Sequence, residues 1–184
     1  MASAVTSAET VSMALIEVRV GQYGKALSLL KTLSAEQLNS SPAQLVKAKA
    51  HLGLGDLKDA EAALANVHDK TLSAARDWVR YQVAVASHDL VGVASRVNNL
   101  LKNDEIPLAL KDRAQLAFAK LSMEKGQSVV QAKKTLRKLA IKAKDYSLRA
   151  AAWSVLAAAG EKKAKRILLI HYPAHALTPD KAQT

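Results

Sequence analysis

A turn recurs along this chain at a nearly fixed interval. Gly21, Gly55, the His88-Asp89 pair, Gly126 and Gly160 are separated by 34, 33, 38 and 34 residues. His88 aligns with Gly55 because His88-Asp89-Leu90 overlays Gly55-Asp56-Leu57. Spacings of this size indicate one supersecondary unit repeated several times, and a unit that short cannot bury its own apolar face without a neighbour. The longer third step places extra residues in the connection Lys102–Pro107, where insertion costs little because loop-closure entropy grows slowly with length.

The clearest copy is Ser41–Val67, SSPAQLVKAKAHLGLGDLKDAEAALANV, which reads as two helices around Gly53-Leu54-Gly55-Asp56. Pro42 suits a first helical turn, where its missing N–H is not needed. Gly55 can adopt the positive φ that ends the first helix, and Asp56 has the side-chain oxygen to cap the second. The first copy turns at Gly21, and Val11, Ala14, Leu15 and Val18 before it fall at helical spacing. Leu72, Ala75, Trp78, Val79 and Val83 mark the stripe of the third copy, where Asp89 is expected to cap a helix running to Leu101. The later pairs are expected at 107–125 with 128–143, and at 146–159 with 161–171. Trp153 is expected inside the last interface.

Composition agrees with helix stacking. The chain is 49% hydrophobic with only 4% aromatic residues, so burial must come from alanine and leucine contacts between closely approaching helices. It contains no cysteine, which excludes disulfide staples and thiolate metal sites.

Gly21-Gln-Tyr-Gly-Lys-Ala26 and Gly55-Asp-Leu-Lys-Asp-Ala60, each a turn glycine with alanine five positions on, resemble the tetratricopeptide repeat over roughly residues 8–172. The chain departs from that pattern at Lys47-Ala48, where the family has Leu-Gly, and at His51, where it has an aromatic. The resemblance implies an all-α, right-handed solenoid of about five antiparallel helix hairpins. The polar lead at 1–7 and the tail at 173–184, which begins at Pro173, are expected to be flexible. In function the resemblance implies a non-catalytic scaffold for protein–protein interaction that takes a peptide or partner protein on the groove lined by the first helix of each pair. Counting back from the turns places Lys49, Trp78, Gln82, Arg113 and Lys120 on that side.

Charge suggests a second surface. Residues 1–100 carry ten Lys/Arg against nine Asp/Glu, whereas residues 101–184 carry 17 against seven. Between Lys125 and Arg166 there are twelve basic residues against Asp145 and Glu161 alone. On the 128–143 helix, Lys133 and Arg137 form one row and Lys134, Lys138 and Lys142 another. Like charges four residues apart repel, and sequence proximity offers them no counter-charge. The alternative function is therefore a binder of an anionic polymer (nucleic acid, acidic protein or an anionic envelope or lipid surface). The departures from the family pattern leave room for a further alternative, an accessory helical domain of a larger bacterial envelope protein. Specific nucleic-acid recognition is disfavoured because no aromatic residues are interleaved for base stacking.

Catalytic and metal chemistry find no support. His171 and His175 have ligand-like spacing, yet Pro173 interrupts the helix between them. Asp56 and Asp59 at a helix start read as cap and dipole partners, and His51 as a packing residue. No phosphate loop, nucleophile elbow or zincin helix is present. No enzyme activity, cofactor or metal is expected. MASAVTSAET has neither a basic start nor an apolar run, so the expected compartment is the cytoplasm, or the periplasm if a leader has been removed.

Overall fold

The computed structural model describes residues 6–176, and its elements are all helical. Five hairpins follow one another: α1 (Ser7–Arg19) with α2 (Tyr23–Leu30); α4 (Ser41–Leu54) with α5 (Leu57–Ala65); α6 (Ser73–Ala86) with α7 (Leu90–Lys102); α8 (Leu108–Glu124) with α9 (Val129–Lys142); and α10 (Tyr146–Ala158) with α11 (Lys162–His171). Three short pieces lie outside the pairs: α3 (Ala35–Leu38), a 3₁₀ turn (Lys70–Leu72) and α12 (Pro173–Ala176). The hairpin boundaries lie within two residues of those expected from the turn spacing. Residues 1–5 of the expected lead and 177–184 of the expected tail lie outside the described residues.

The chain divides into two compact units, residues 1–103 and 104–184. The division falls in the connection where the repeat spacing lengthens.

In the first unit, α4 shows how stacking works. Its Ala43, Val46 and Ala50 join Ala14, Ala26 and Leu30 in one core. Its Leu45 and Ala48 join Ala60, Leu64, Val79 and Val83 in another. A helix buried on two sides has to be rich in small residues, because large ones would hold its neighbours apart. The second helix α7 instead buries a single stripe, Val93, Val97 and Leu100. In the second unit, α8 to α12 close over one core that includes Ala132, Leu136, Trp153, Leu156, Ala164 and Leu168. Trp153 is inside it, as its sequence position required.

The turns work by backbone sign. Gly55 ends α4 at φ +84°, a left-handed conformation that only glycine adopts without steric cost. His88 holds the same place at φ +53° despite its side chain. The residue five positions on is buried in each copy whatever its identity: Ala26, Ala60 and Val93, then Ala132 and Ala164 with a one-residue drift.

Two expected caps are not formed. Asp56 and Asp89 occupy N-cap positions, but neither side chain bonds to its helix. Asp56 Oδ2 instead lies 3.4 Å from His51 Nδ1. Caps do form at Thr6 and Ser34, each in a reciprocal box with Glu9 or Gln37, at Asp69 on the 3₁₀ turn and at Asp145 on α10.

Arginines close the carbonyl ends of preceding helices. Arg80 Nη2 donates to the Leu64 carbonyl at 3.3 Å, and Arg76 Nη1 donates to that of Val67 at 3.1 Å. Arg149 Nη1 donates to the Ala143 carbonyl at 3.0 Å just past the end of α9. A cation at a helix C-terminus also meets the negative end of the dipole.

Candidate functional site

The groove residues expected from the sequence divide between the two units, and each unit treats its cations differently. In the first unit Lys49 is half-buried on α4, which packs against α1. Loss of hydration pushes its ammonium below the usual lysine range, and the nearby positive charge of Arg19 pushes it further the same way. Among the described residues, neither Lys49 nor Arg19 forms an ion pair. Two cations thus sit close together, one of them partly desolvated, with no carboxylate holding either.

Trp78 and Gln82 lie on α6, which contacts α4. Trp78 is half-exposed and stays out of the core, its ring tilted against Tyr81 with centroids 5.1 Å apart. Tyr81 is the buried member of that pair. Gln82 is exposed.

The second unit is different. Arg113 Nη2 on α8 meets Asp145 Oδ2 at 3.5 Å, the same carboxylate that accepts from the backbone N–H groups of Ser147 and Leu148. Those backbone hydrogen bonds, with Arg113 adding to them, hold the Asp145 carboxyl below its usual range. Lys120 Nζ stands 3.9 Å from Glu124 on its own helix. Both expected groove cations of this unit already have counter-charges.

On α9, Lys134, Arg137, Lys138 and Lys142 are exposed, whereas Lys133 is half-buried between the core positions Ala132 and Leu136. The expectation that these like charges lack an offset fails at Arg137, whose Nη2 donates to Glu161 Oε1 at 2.6 Å. Lys138 is near enough to favour the charged form of Asp112, although burial of that carboxyl dominates and raises its pKa.

An open recess of about 400 Å³ between α4 and α5 is lined by Asn39, Gln44, Lys47, His51, Asp59 and Asn66 among others. At its edge, ligand-type atoms of His51, Asp56 and Asp59 lie within 4.8 Å of one another. From the sequence Asp56 and Asp59 share a helix start and His51 is a packing residue apart from them; the turn at Gly55 brings all three together. Lys47 on the recess wall adds a positive charge that opposes cation binding. His171 ends α11 and His175 lies in α12, with Pro173 between them as expected.

Over its first two turns, Gly21 with Ala26 and Gly55 with Ala60, the chain agrees with the family comparison. Residues 18–76 match the tetratricopeptide repeat family. That stretch runs from the end of α1 to the start of α6, and it contains Arg19, Lys49 and the whole of the Ser41–Val67 copy. Tetratricopeptide repeats generally mediate protein–protein interactions, and as a family they are interaction modules and not catalysts. Comparisons with curated proteins and with solved structures return no match. Among the described residues, no helix is long and apolar enough to cross a membrane.

Proposed function

We propose that the protein is a non-catalytic scaffold that holds an acidic segment of a partner protein against the first-helix face of its N-terminal unit. The observation that carries this reading is Lys49, half-buried near Arg19, with no ion pair to either among the described residues. Folding leaves that charge under-solvated, and an incoming carboxylate would return both the lost interaction and a charge-assisted hydrogen bond. Trp78 would supply the apolar anchor and Gln82 an orienting amide. Because the hairpins are formed before binding, the partner would bear most of the ordering entropy.

The test is a peptide-display selection against the whole chain, run in parallel with Lys49→Glu and Trp78→Ala. The expected result is enrichment of Asp and Glu beside an aliphatic or aromatic residue. Lys49→Glu should abolish the acidic enrichment, and Trp78→Ala should remove the apolar preference. Acidic peptides recovered equally by the native chain and Lys49→Glu would contradict the proposal.

A further inference from the structure

From the exposed faces of α9 and α11 we infer a second interaction surface, one that lies against an anionic phospholipid bilayer. On α9, Val130, Lys134, Lys138 and Ile141 follow one another at three- and four-residue steps opposite the buried Ala132, Leu136 and Leu139, so they share one outward stripe. Val130 is 86% exposed and Ile141 68%. On α11, Lys165, Arg166, Leu169 and Ile170 lie away from the buried Ala164 and Leu168, with Leu169 66% and Ile170 60% exposed.

Both helices pack on α10. The Arg137–Glu161 ion pair ties the outer side of α9 to the residue that opens α11, so the two stripes adjoin. The acidic residues of the 125–166 stretch do not cancel the field. Asp145 is spent on the α10 cap and Arg113, and Glu161 on Arg137.

The mixture of groups decides the class of partner. Lysines and arginines alone would suit any polyanion, but four exposed aliphatic side chains on the same face would gain nothing from a phosphodiester backbone. No aromatic residue lies on either stripe to stack on a base. A lipid interface uses both halves: the cations meet headgroup phosphates and carboxylates, while Val, Ile and Leu enter the acyl boundary. This surface shares no residue with the Lys49 proposal, so either proposal can fail without the other.

The test is sedimentation of the whole chain at physiological ionic strength with vesicles of mixed phosphatidylcholine and phosphatidylserine, and with phosphatidylcholine alone. Binding is expected only with phosphatidylserine present. Each basic residue near an anionic surface is worth roughly five-fold in binding, so the triple change Lys134→Gln, Lys138→Gln and Arg166→Gln should weaken it by about a hundred-fold. Ile141→Ser with Leu169→Ser should weaken it by about ten-fold while leaving the salt dependence unchanged. A charge-matched control, Lys31→Gln, Lys58→Gln and Lys70→Gln in the first unit, should lose far less than the α9–α11 triple. The proposal is overturned by absence of binding to the mixed vesicles or by equal loss in the control. It is also overturned if the serine pair is without effect while a duplex DNA probe binds with the same lysine dependence.

Discussion

The two units are built from the same hairpin, yet they place their charge in opposite ways. In residues 1–103 the first helices carry Lys49 and Arg19 without an ion pair among the described residues, and the second helices hold four Lys/Arg against two Asp/Glu. In residues 104–184 the first-helix cations Arg113 and Lys120 are answered by Asp145 and Glu124, and the excess positive charge sits on the second helices α9 and α11. A repeat architecture permits this because the packing positions are few and mostly small, which leaves the remaining faces free to differ. The same fold can therefore present a peptide site in one place and a broad charged surface in another.

The apolar interiors should respond alike, which isolates the difference to charge. Leu64 and Leu136 are each fully buried in their unit's core. Leu64→Ala and Leu136→Ala should each cost about 2–5 kcal/mol in urea denaturation, through lost transfer energy and the cavity left behind. A cost below about 1 kcal/mol at either position would mean that core is loosely packed, and the comparison would no longer be between equals.

Backbone strain is a smaller effect and also occurs once in each unit. Among the described residues, His88 at φ +53° and Ser128 at φ +51° are the non-glycine residues in the left-handed region. His88→Gly and Ser128→Gly should each stabilise the chain by up to about 1 kcal/mol, because relief of the Cβ clash exceeds the added entropy of the unfolded chain. Thermal denaturation decides this, and destabilisation by His88→Gly would show that its imidazole makes a compensating contact.

Charge changes should be smallest in stability and most informative in pH. For Lys49, whose pKa falls on folding from 10.5, the folded state disfavours the proton that the unfolded chain keeps. Its cost is present at neutral pH and relieved as pH rises from the lowered value towards 10.5. Lys49→Met should raise stability at neutral pH, with the gap closing in alkali, while the same change at the paired Lys120 should give no gain. Asp145 runs the other way. Its contribution is present above 3.8 and lost as pH falls through its depressed folded value, so Asp145→Asn should differ from the native chain above pH 3.8 and converge with it in acid. A gap that persists in acid would indicate that the cap acts through shape and not charge.

The hairpins were legible in the sequence because turn chemistry is local. A glycine that must take positive φ, followed by a small residue at a fixed offset, repeats whatever surrounds it. His88 was found through its Asp-Leu neighbours even though the glycine is missing. The electrostatic partners were not legible, because they depend on which helices touch. Arg137 and Glu161 are 24 residues apart, Arg113 and Asp145 are 32 apart, and Arg19 approaches Lys49 from a different hairpin. The Asp56 cap failed for a related reason: the turn at Gly55 brings His51 within reach of its carboxylate, a competitor that N-cap statistics do not contain.

The most direct measurement is a two-dimensional amide NMR titration of the whole chain with an acidic peptide recovered by display. The account predicts that the largest shifts fall at Lys49, Trp78, Gln82 and Arg19, with α9 and α11 undisturbed. Largest shifts on residues 129–142 and 162–171, with Lys49 unmoved, would contradict it.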